Sequence, residues 1–355
     1  MNQTLFLSGT KAQTIFKNPE KCAEAAKLIY VSDKEAGVKR VKHGKAFSYY
    51  FKNTKINDHE QLRRFKSLVI PPAWVNVWIC HKPNGHIQAT GFDVMQRKQY
   101  RYHADWNELR NNTKFSRLIS FGEILPQLRV KIEHDIARKE LSKEKILATV
   151  IKLMETTYIR IGNAGYEKLY GSYGLTTLKD NHVKIEGSAM RFSFKGKKGV
   201  FHTIDCRDKR LARIVKQCKE IPGKELFQYY DEHHVAHSIH SEDVNNYLKE
   251  ITGMDFTAKD FRTWAGSAHA LVVLKDMGVY QNATQCKKNM VAALDYVSGK
   301  LGNTRTVCKK YYVHPAIFSL YEEKKLIPFF EKVKVNSKSA LAFEEQVLMR
   351  LLKKH

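Results

Sequence analysis

Lys98-Gln99-Tyr100-Arg101-Tyr102-His103-Ala104-Asp105-Trp106 is where the chain changes character. Upstream of it, Val75, Val77 and Ile79 alternate with Asn76, Trp78 and Cys80. Ile87, Ala89 and Gly91 then lead to an Arg97–Lys98 corner, and Tyr100 and Tyr102 carry the alternation on. A period of two, rich in β-branched and aromatic residues, predicts strands, and aromatic Phe47–Tyr50 adds another. Ile70-Pro71-Pro72 punctuates this region, because proline has no N–H to give to a ladder. From Trp106 onward the period lengthens. Ile132, Ile136, Ile146, Leu147, Val150, Ile151 and Met154 recur at helical spacing and predict one or two amphipathic helices that stop near Gly162-Asn163. Val183–Ile204 reads as a hairpin in which Met190, Phe192 and Phe194 alternate with Arg191, Ser193 and Lys195, turning at Gly196-Lys197-Lys198-Gly199. Ser241 is expected to cap a helix over Val244–Ile251, while Leu341, Val347, Leu348 and Leu351 line a terminal one. The reading is α+β, with a lead-in over 1–36, a β-rich domain over 37–106 and a mostly helical domain over 107–355.

The composition narrows the function. Of 355 residues, 43% are apolar, enough for a sizeable core and too many for a disordered chain. Lys and Arg number 61 against 36 Asp and Glu, a formal charge of +25. Such an excess predicts a polyanionic partner, since each phosphate neutralised by Lys or Arg releases condensed counterions. Aliphatic runs such as Ala270–Leu274 are far too short to span a bilayer, and Met1–Phe6 lacks the flank of a secretion signal, so nucleic acid is expected rather than a membrane. Six scattered cysteines without a C-x-x-C pair fit free thiols in a reducing compartment, the cytoplasm.

Four places in the helical domain carry residue types suited to phosphoryl transfer. They are Tyr158-Ile159-Arg160-Ile161-Gly162-Asn163, Lys197 at the hairpin tip, Lys259 with Phe261-Arg262-Thr263-Trp264, and Leu301-Gly302-Asn303-Thr304 followed by Tyr312. Taken singly each has a plain alternative: an arginine complementing a helix end, a solvated turn lysine, a packing tyrosine. Asp231-Glu232-His233-His234, with His237 and His240, superficially suggests a metal site. Without H-E-x-x-H spacing it reads as a polar loop, and no metal is expected.

Taken in order, the strings Ile70-Pro-Pro-Ala-Trp, Gly85-His-Ile-Gln-Ala-Thr-Gly, Arg97-Lys-Gln-Tyr-Arg-Tyr-His, Arg160-Ile-Gly-Asn, Gly174-Leu-Thr-Thr-Leu, Lys259-Asp-Phe-Arg-Thr-Trp and Tyr312-Val-His-Pro resemble the small type IB DNA topoisomerases of bacteria and poxviruses, from about Val38 to His355. The resemblance implies a β-rich DNA-clamp domain and a helical catalytic domain of the tyrosine-recombinase type, acting as a monomer on double-stranded DNA near the nucleoid. It implies no cofactor. Tyr312 becomes the nucleophile, forming a 3′-phosphotyrosyl link that stores the strand energy, so that resealing needs no ATP. Arg160 and Arg262 become the phosphate clamp, because guanidinium is permanently charged and forks onto phosphate. Lys197 becomes the general acid that protonates the leaving 5′-oxygen. Gln99, Tyr100, Tyr102 and Tyr166 become DNA contacts, and Arg101, by its residue type on the same strand, is expected to position a phosphate.

The chain departs from the family pattern at three points. Nine residues before Tyr312, where several branches carry His, stands Asn303, which can donate a hydrogen bond to phosphate but holds no proton for acid catalysis. Arg305 replaces a usual proline, and Tyr311 precedes Tyr312 where Ser or Ala is usual. The doublet leaves two candidate nucleophiles, of which the spacing from Asn303 and the following Val313-His314-Pro315 favour Tyr312. Two rival functions remain. A site-specific tyrosine recombinase usually carries His where Lys259 stands here, and a non-catalytic basic DNA-binding protein would explain the charge but not the assembled residues.

Overall fold

Asn18 accepts the N–H groups of Glu20 and Lys21 and thereby caps α1 (Pro19–Ala25). The computed structural model describes residues 18–331 except 45, together with 333 and 339–354, so residues 1–17 of the lead-in lie outside the described residues. The chain divides into two compact units, Met1–Ser116 and Arg117–His355.

In the first unit, β1 (Val38–His43), β2 (Ala46–Phe51), β3 (Thr54–Lys55), α2 (His59–Ser67), β4 (Val75–Ile79), β5 (Ile87–Phe92) and β6 (Lys98–Tyr102) follow in order. The strands pair antiparallel into one sheet ordered β3-β2-β1-β4-β5-β6. Val38, Tyr49, Val77, Ile79 and Ala89 come to one face and close over Phe65 of α2, which is why alternation was the signal. The Ile70-Pro71-Pro72 corner leaves carbonyls that no strand can satisfy, and Arg40 takes them. Its guanidinium donates to the carbonyls of Ile70 (3.0 Å), Pro71 (2.9 Å) and Trp74 (2.9 Å). β5 is buried along both faces, and its inward polar groups are paired: Thr90 donates to Asp33 (2.9 Å), and Gln88 donates to the Gly85 carbonyl (2.8 Å). β6 forms one border of the sheet and has no buried residue.

Helix α3 (Ala104–Ile136) is followed in the second unit by α4 (Lys143–Thr157), α5 (Ala164–Tyr170), β7 (Val183–Glu186), β8 (Ala189–Lys195), β9 (Phe201–Arg207), α6 (Lys209–Lys219), β10 (Gln228–Tyr230) and β11 (Ala236–Ser238). Then come α7 (Ser241–Thr252), α8 (Ala258–Met277), α9 (Ala283–Leu301), α10 (Arg305–Tyr311), α11 (Pro315–Glu322), α12 (Leu326–Glu331) and α13 (Phe343–Lys354). Helix α4 is deeply embedded, and Ile146, Leu147, Val150, Ile151, Leu153 and Met154 are buried, each contributing about 1.5–3 kcal/mol. The terminal helix is tied in by charge. Arg129 of α3 forks onto Glu345 of α13 (2.8 Å each) and reaches Glu155 of α4 (2.7 Å), while the indole N–H of Trp264 donates to the same Glu345 (2.9 Å).

Three local expectations are revised. The hairpin is a three-stranded sheet, β7-β8-β9, because Val183–Glu186 also pairs with β8. Helix α4 stops at Tyr158, four residues before Gly162, because Tyr158 turns left-handed (φ 57°). Asn163 instead begins α5, its side chain accepting the N–H groups of Gly165 (3.0 Å) and Tyr166 (3.3 Å). The cap position of α7 is His240 rather than Ser241, with the Asp243 carboxylate accepting the His240 N–H at 2.8 Å. The acidic and histidine-rich segment is a polar loop, as its residues predict, forming the turn between β10 and β11. Asp231 accepts the N–H groups of His233 and Val235 (2.9 Å each) and pairs with His237 (2.7 Å), using its carboxylate to hold the turn.

Candidate active site

Arg262, Gly266 and His269 fall at i, i+4 and i+7 on α8 and so share one face of that helix. Arg262 is only 4% exposed. Its Nη2 donates to the Leu301 carbonyl at 2.5 Å and its Nη1 to the Tyr158 carbonyl. These carbonyls close α9 and α4, where no intrahelical N–H is left to satisfy them and the helix dipoles end negative. Two helix ends therefore make a buried guanidinium tolerable, although burial still presses its pKa below the ordinary arginine value. Its Nε is buried with no hydrogen-bond partner among the described residues.

The left-handed turn at Tyr158 costs a non-glycine residue about 1–2 kcal/mol, and neighbours from α8 hold it there. His269 hydrogen-bonds the Tyr158 hydroxyl at 3.0 Å, with the two rings edge to face at 5.3 Å. Two residues on, Arg160 Nη2 donates to the Gly302 carbonyl (2.9 Å) and to Asn303 Oδ1 (2.7 Å). Burial, and then the adjacent Arg262, pull the Arg160 guanidinium down to about 10, leaving it protonated at neutral pH. The Arg160 and Gly174 strings pack on each other. The Leu175 N–H donates to the Arg160 carbonyl (2.9 Å) and that of Thr176 to Ile161 (2.7 Å).

Tyr312 ends α10, and its ring centroid lies 5.4 Å from the Arg262 guanidinium carbon. Gly266 permits this approach, since a Cβ there would stand 2.5 Å from the Tyr312 carbonyl oxygen. Ser267 fixes the same backbone, donating to the Tyr312 carbonyl (3.3 Å) and accepting the His314 N–H (3.0 Å). One helix thus sets both the buried arginine and the tyrosine backbone. With its Oδ1 given to Arg160 and one amide N–H turned to the Leu301 carbonyl (3.5 Å), Asn303 keeps a second amide N–H as a donor.

Arg160, Arg262, Asn303 and Tyr312 are therefore brought together. Lys197 stands exposed at the β8–β9 tip, and among the described residues no side-chain hydrogen bond joins it to those four. Tyr166 lies 44% exposed on α5. Gln99, Tyr100, Arg101 and Tyr102 belong to the first unit, on β6. There Tyr100 and Tyr102 are exposed, their rings stacked at 5.8 Å, and Arg101 donates to the Val69 carbonyl at 2.7 Å.

Sequence reasoning missed the groups that hold these side chains: the Tyr158 and Leu301 carbonyls, Gly266, Ser267 and, beside the arginines, His202. Among the described residues no three His, Cys, Asp or Glu side chains gather as a metal site, and no helix is long and apolar enough to cross a membrane.

The family described as eukaryotic DNA topoisomerase I, catalytic core, matches residues 103–336, and the bacterial DNA topoisomerase IB N-terminal domain matches residues 46–93. DNA topoisomerase 1B of Acanthamoeba polyphaga mimivirus is 32% identical over 294 residues, covering 81% of this chain and 88% of the relative. DNA topoisomerase I of Monkeypox virus is 22% identical over 245 residues, covering 68% of this chain and 74% of the relative.

Proposed function

The chain belongs to the type IB DNA topoisomerases, and on that premise we propose that it relaxes positive and negative supercoils by cutting and rejoining one strand through Tyr312, as a monomer, without metal or ATP. The observation that carries this reading is the convergence of Arg160, Arg262 and Asn303 beside the Tyr312 ring. The phenol oxygen attacks the phosphorus, the P–Oη bond forms as P–O5′ breaks, the phenol proton passes to solvent, and O5′ takes a proton from Lys197. Resealing is the reverse, with the 5′-hydroxyl as nucleophile, and it needs no external energy because one phosphodiester is exchanged for another.

Charge grows on the non-bridging oxygens as phosphorus becomes pentacoordinate, and two permanently charged guanidiniums already anchored by helix-end carbonyls meet it without reorganising. They supply the electrostatic stabilisation that a metal ion gives in other phosphoryl-transfer sites. The Asn303 amide adds a neutral donor. In the other unit, the exposed Tyr100, Arg101 and Tyr102, with Gln99, suit a DNA backbone, as does Tyr166 in the catalytic unit. A duplex partner and the +25 charge fit work in the cytoplasm, at the nucleoid.

The test is relaxation of supercoiled plasmid in EDTA without ATP, with trapping of the covalent adduct. Wild type and Tyr311→Phe should relax the plasmid and trap an adduct, while Tyr312→Phe should do neither. An inactive wild type under those conditions refutes the metal-free reading, and an active Tyr312→Phe refutes the choice of nucleophile.

A further inference from the structure

His202 lies on β9 opposite Phe194, with the two rings 5.5 Å apart. Its imidazole is in close contact with two glycines from separate elements. A Cβ on Gly196, at the base of the Lys197 tip, would stand 2.5 Å from the ring's Cδ2, and one on Gly302, next to Asn303, would stand 2.6 Å from its Cε1. Gly302 is left-handed (φ 56°) and would favour glycine on that ground alone. Gly196 is not: at φ −94° any residue fits, so only the ring demands glycine there. The Gly302 carbonyl in turn accepts from Arg160. A single side chain thus spans from the turn that carries Lys197 to the turn that holds the phosphate clamp.

We propose that His202 is a positioning residue whose ring sets the distance between the Lys197 tip and the Arg160–Asn303 turn, so that the lysine ammonium reaches the leaving 5′-oxygen. This rests on the general-acid reading of Lys197 above. Burial, then Arg160 and Arg262, keep the imidazole below its ordinary range and therefore uncharged at neutral pH. A neutral ring fills this space without adding a third positive charge beside the arginines.

The test compares single-turnover cleavage of a duplex with the natural 5′-oxygen leaving group against one with a bridging 5′-sulfur, whose thiolate departs without protonation. His202→Ala should cleave the oxygen substrate about 10²-fold more slowly, the scale of a lost general acid, yet cleave the sulfur substrate within a few-fold of wild type. His202→Phe, which keeps a flat ring, should recover most of the oxygen rate. Equal slowing on both substrates, no slowing on either, or a Phe variant no better than Ala would each overturn the proposal. Should His202→Ala not fold, Gly196→Ala presses on the same contact from the other side and is expected to give the same sulfur-selective rescue. Lys197→Ala separates the premise: if sulfur does not rescue it, the acid reading itself fails and this inference falls with it.

Discussion

Asn303→Asp is the substitution that most sharply questions the site, because it keeps the shape and the acceptor while reversing the donor. In the wild type Asn303 Oδ1 receives Arg160 at 2.7 Å, and with one amide N–H on the Leu301 carbonyl the other remains for a phosphate oxygen. If Asn303 served only to anchor Arg160, a carboxylate would do so at least as well, since charge strengthens that bond. If its amide faces phosphate, the same carboxylate sets two negative charges about 4 Å apart, which costs about 4 kcal/mol at an effective dielectric near 20. Part of that is offset by the tighter hold on Arg160, so we expect cleavage to slow about 10²–10³-fold, each 1.36 kcal/mol being a factor of ten. Asn303→Ala loses the donor and one acceptor of a charged group, about 1.5–3 kcal/mol, or about 10–100-fold. The assay is the rate of covalent adduct formation on a duplex under single turnover, read on a denaturing gel, with DNA affinity measured at one salt concentration. The reasoning is refuted if Asp cleaves as fast as Ala, or faster.

Gly266→Ala places a methyl 2.5 Å from the Tyr312 carbonyl oxygen, backbone that cannot turn aside, so cleavage should drop about 10²-fold with little change in DNA binding; unchanged cleavage would mean α8 does not set the tyrosine. Trp264→Phe deletes the N–H that Glu345 accepts at 2.9 Å and should lower stability by about 1–3 kcal/mol in urea unfolding, with a loss near zero showing the bond to be dispensable. Asp135 is fully buried. Burial alone would raise its carboxyl, but hydrogen bonds from Tyr247, Lys131, His134 and Arg138 outweigh that and hold it well below the usual carboxylate range. A depressed folded pKa contributes stability that is fully present above about pH 4, the unfolded carboxylate value, and is lost as pH falls further. Asp135→Asn should therefore flatten the acid limb of a stability–pH curve, and an unchanged slope would count against the linkage.

Periodicity made the two halves of this chain legible, because strand and helix faces must bury different spacings of apolar residues. It failed where tertiary contacts overruled local preference. Gly162-Asn163 carries the usual stop residues, yet Tyr158 ends the helix, since its hydroxyl is held by His269 and its carbonyl by Arg262. β7 was not separated from the hairpin that follows it, because Val183–Glu186 is too short to display a period. At the site, charged side chains announce themselves by type and by resemblance. The carbonyls of Tyr158, Leu301 and Gly302 do not, because every residue has one, and only the convergence of helix ends decides which are used. His202 gave no signal beyond its place in an alternating strand.

The border strand β6 has a further consequence. A sheet border with unpaired backbone groups invites a second chain to add itself there, and such borders are commonly protected by charge. Lys98 and Arg101, with the stacked Tyr100 and Tyr102 beside them, stand on this one. Arg101, Tyr100 and Tyr102, proposed to meet DNA, thus also stand where a neighbouring chain would add to the sheet. Neutralising Arg101 to weaken nucleic-acid contact would also favour self-association, and duplex bound along β6 would shield the same border from it.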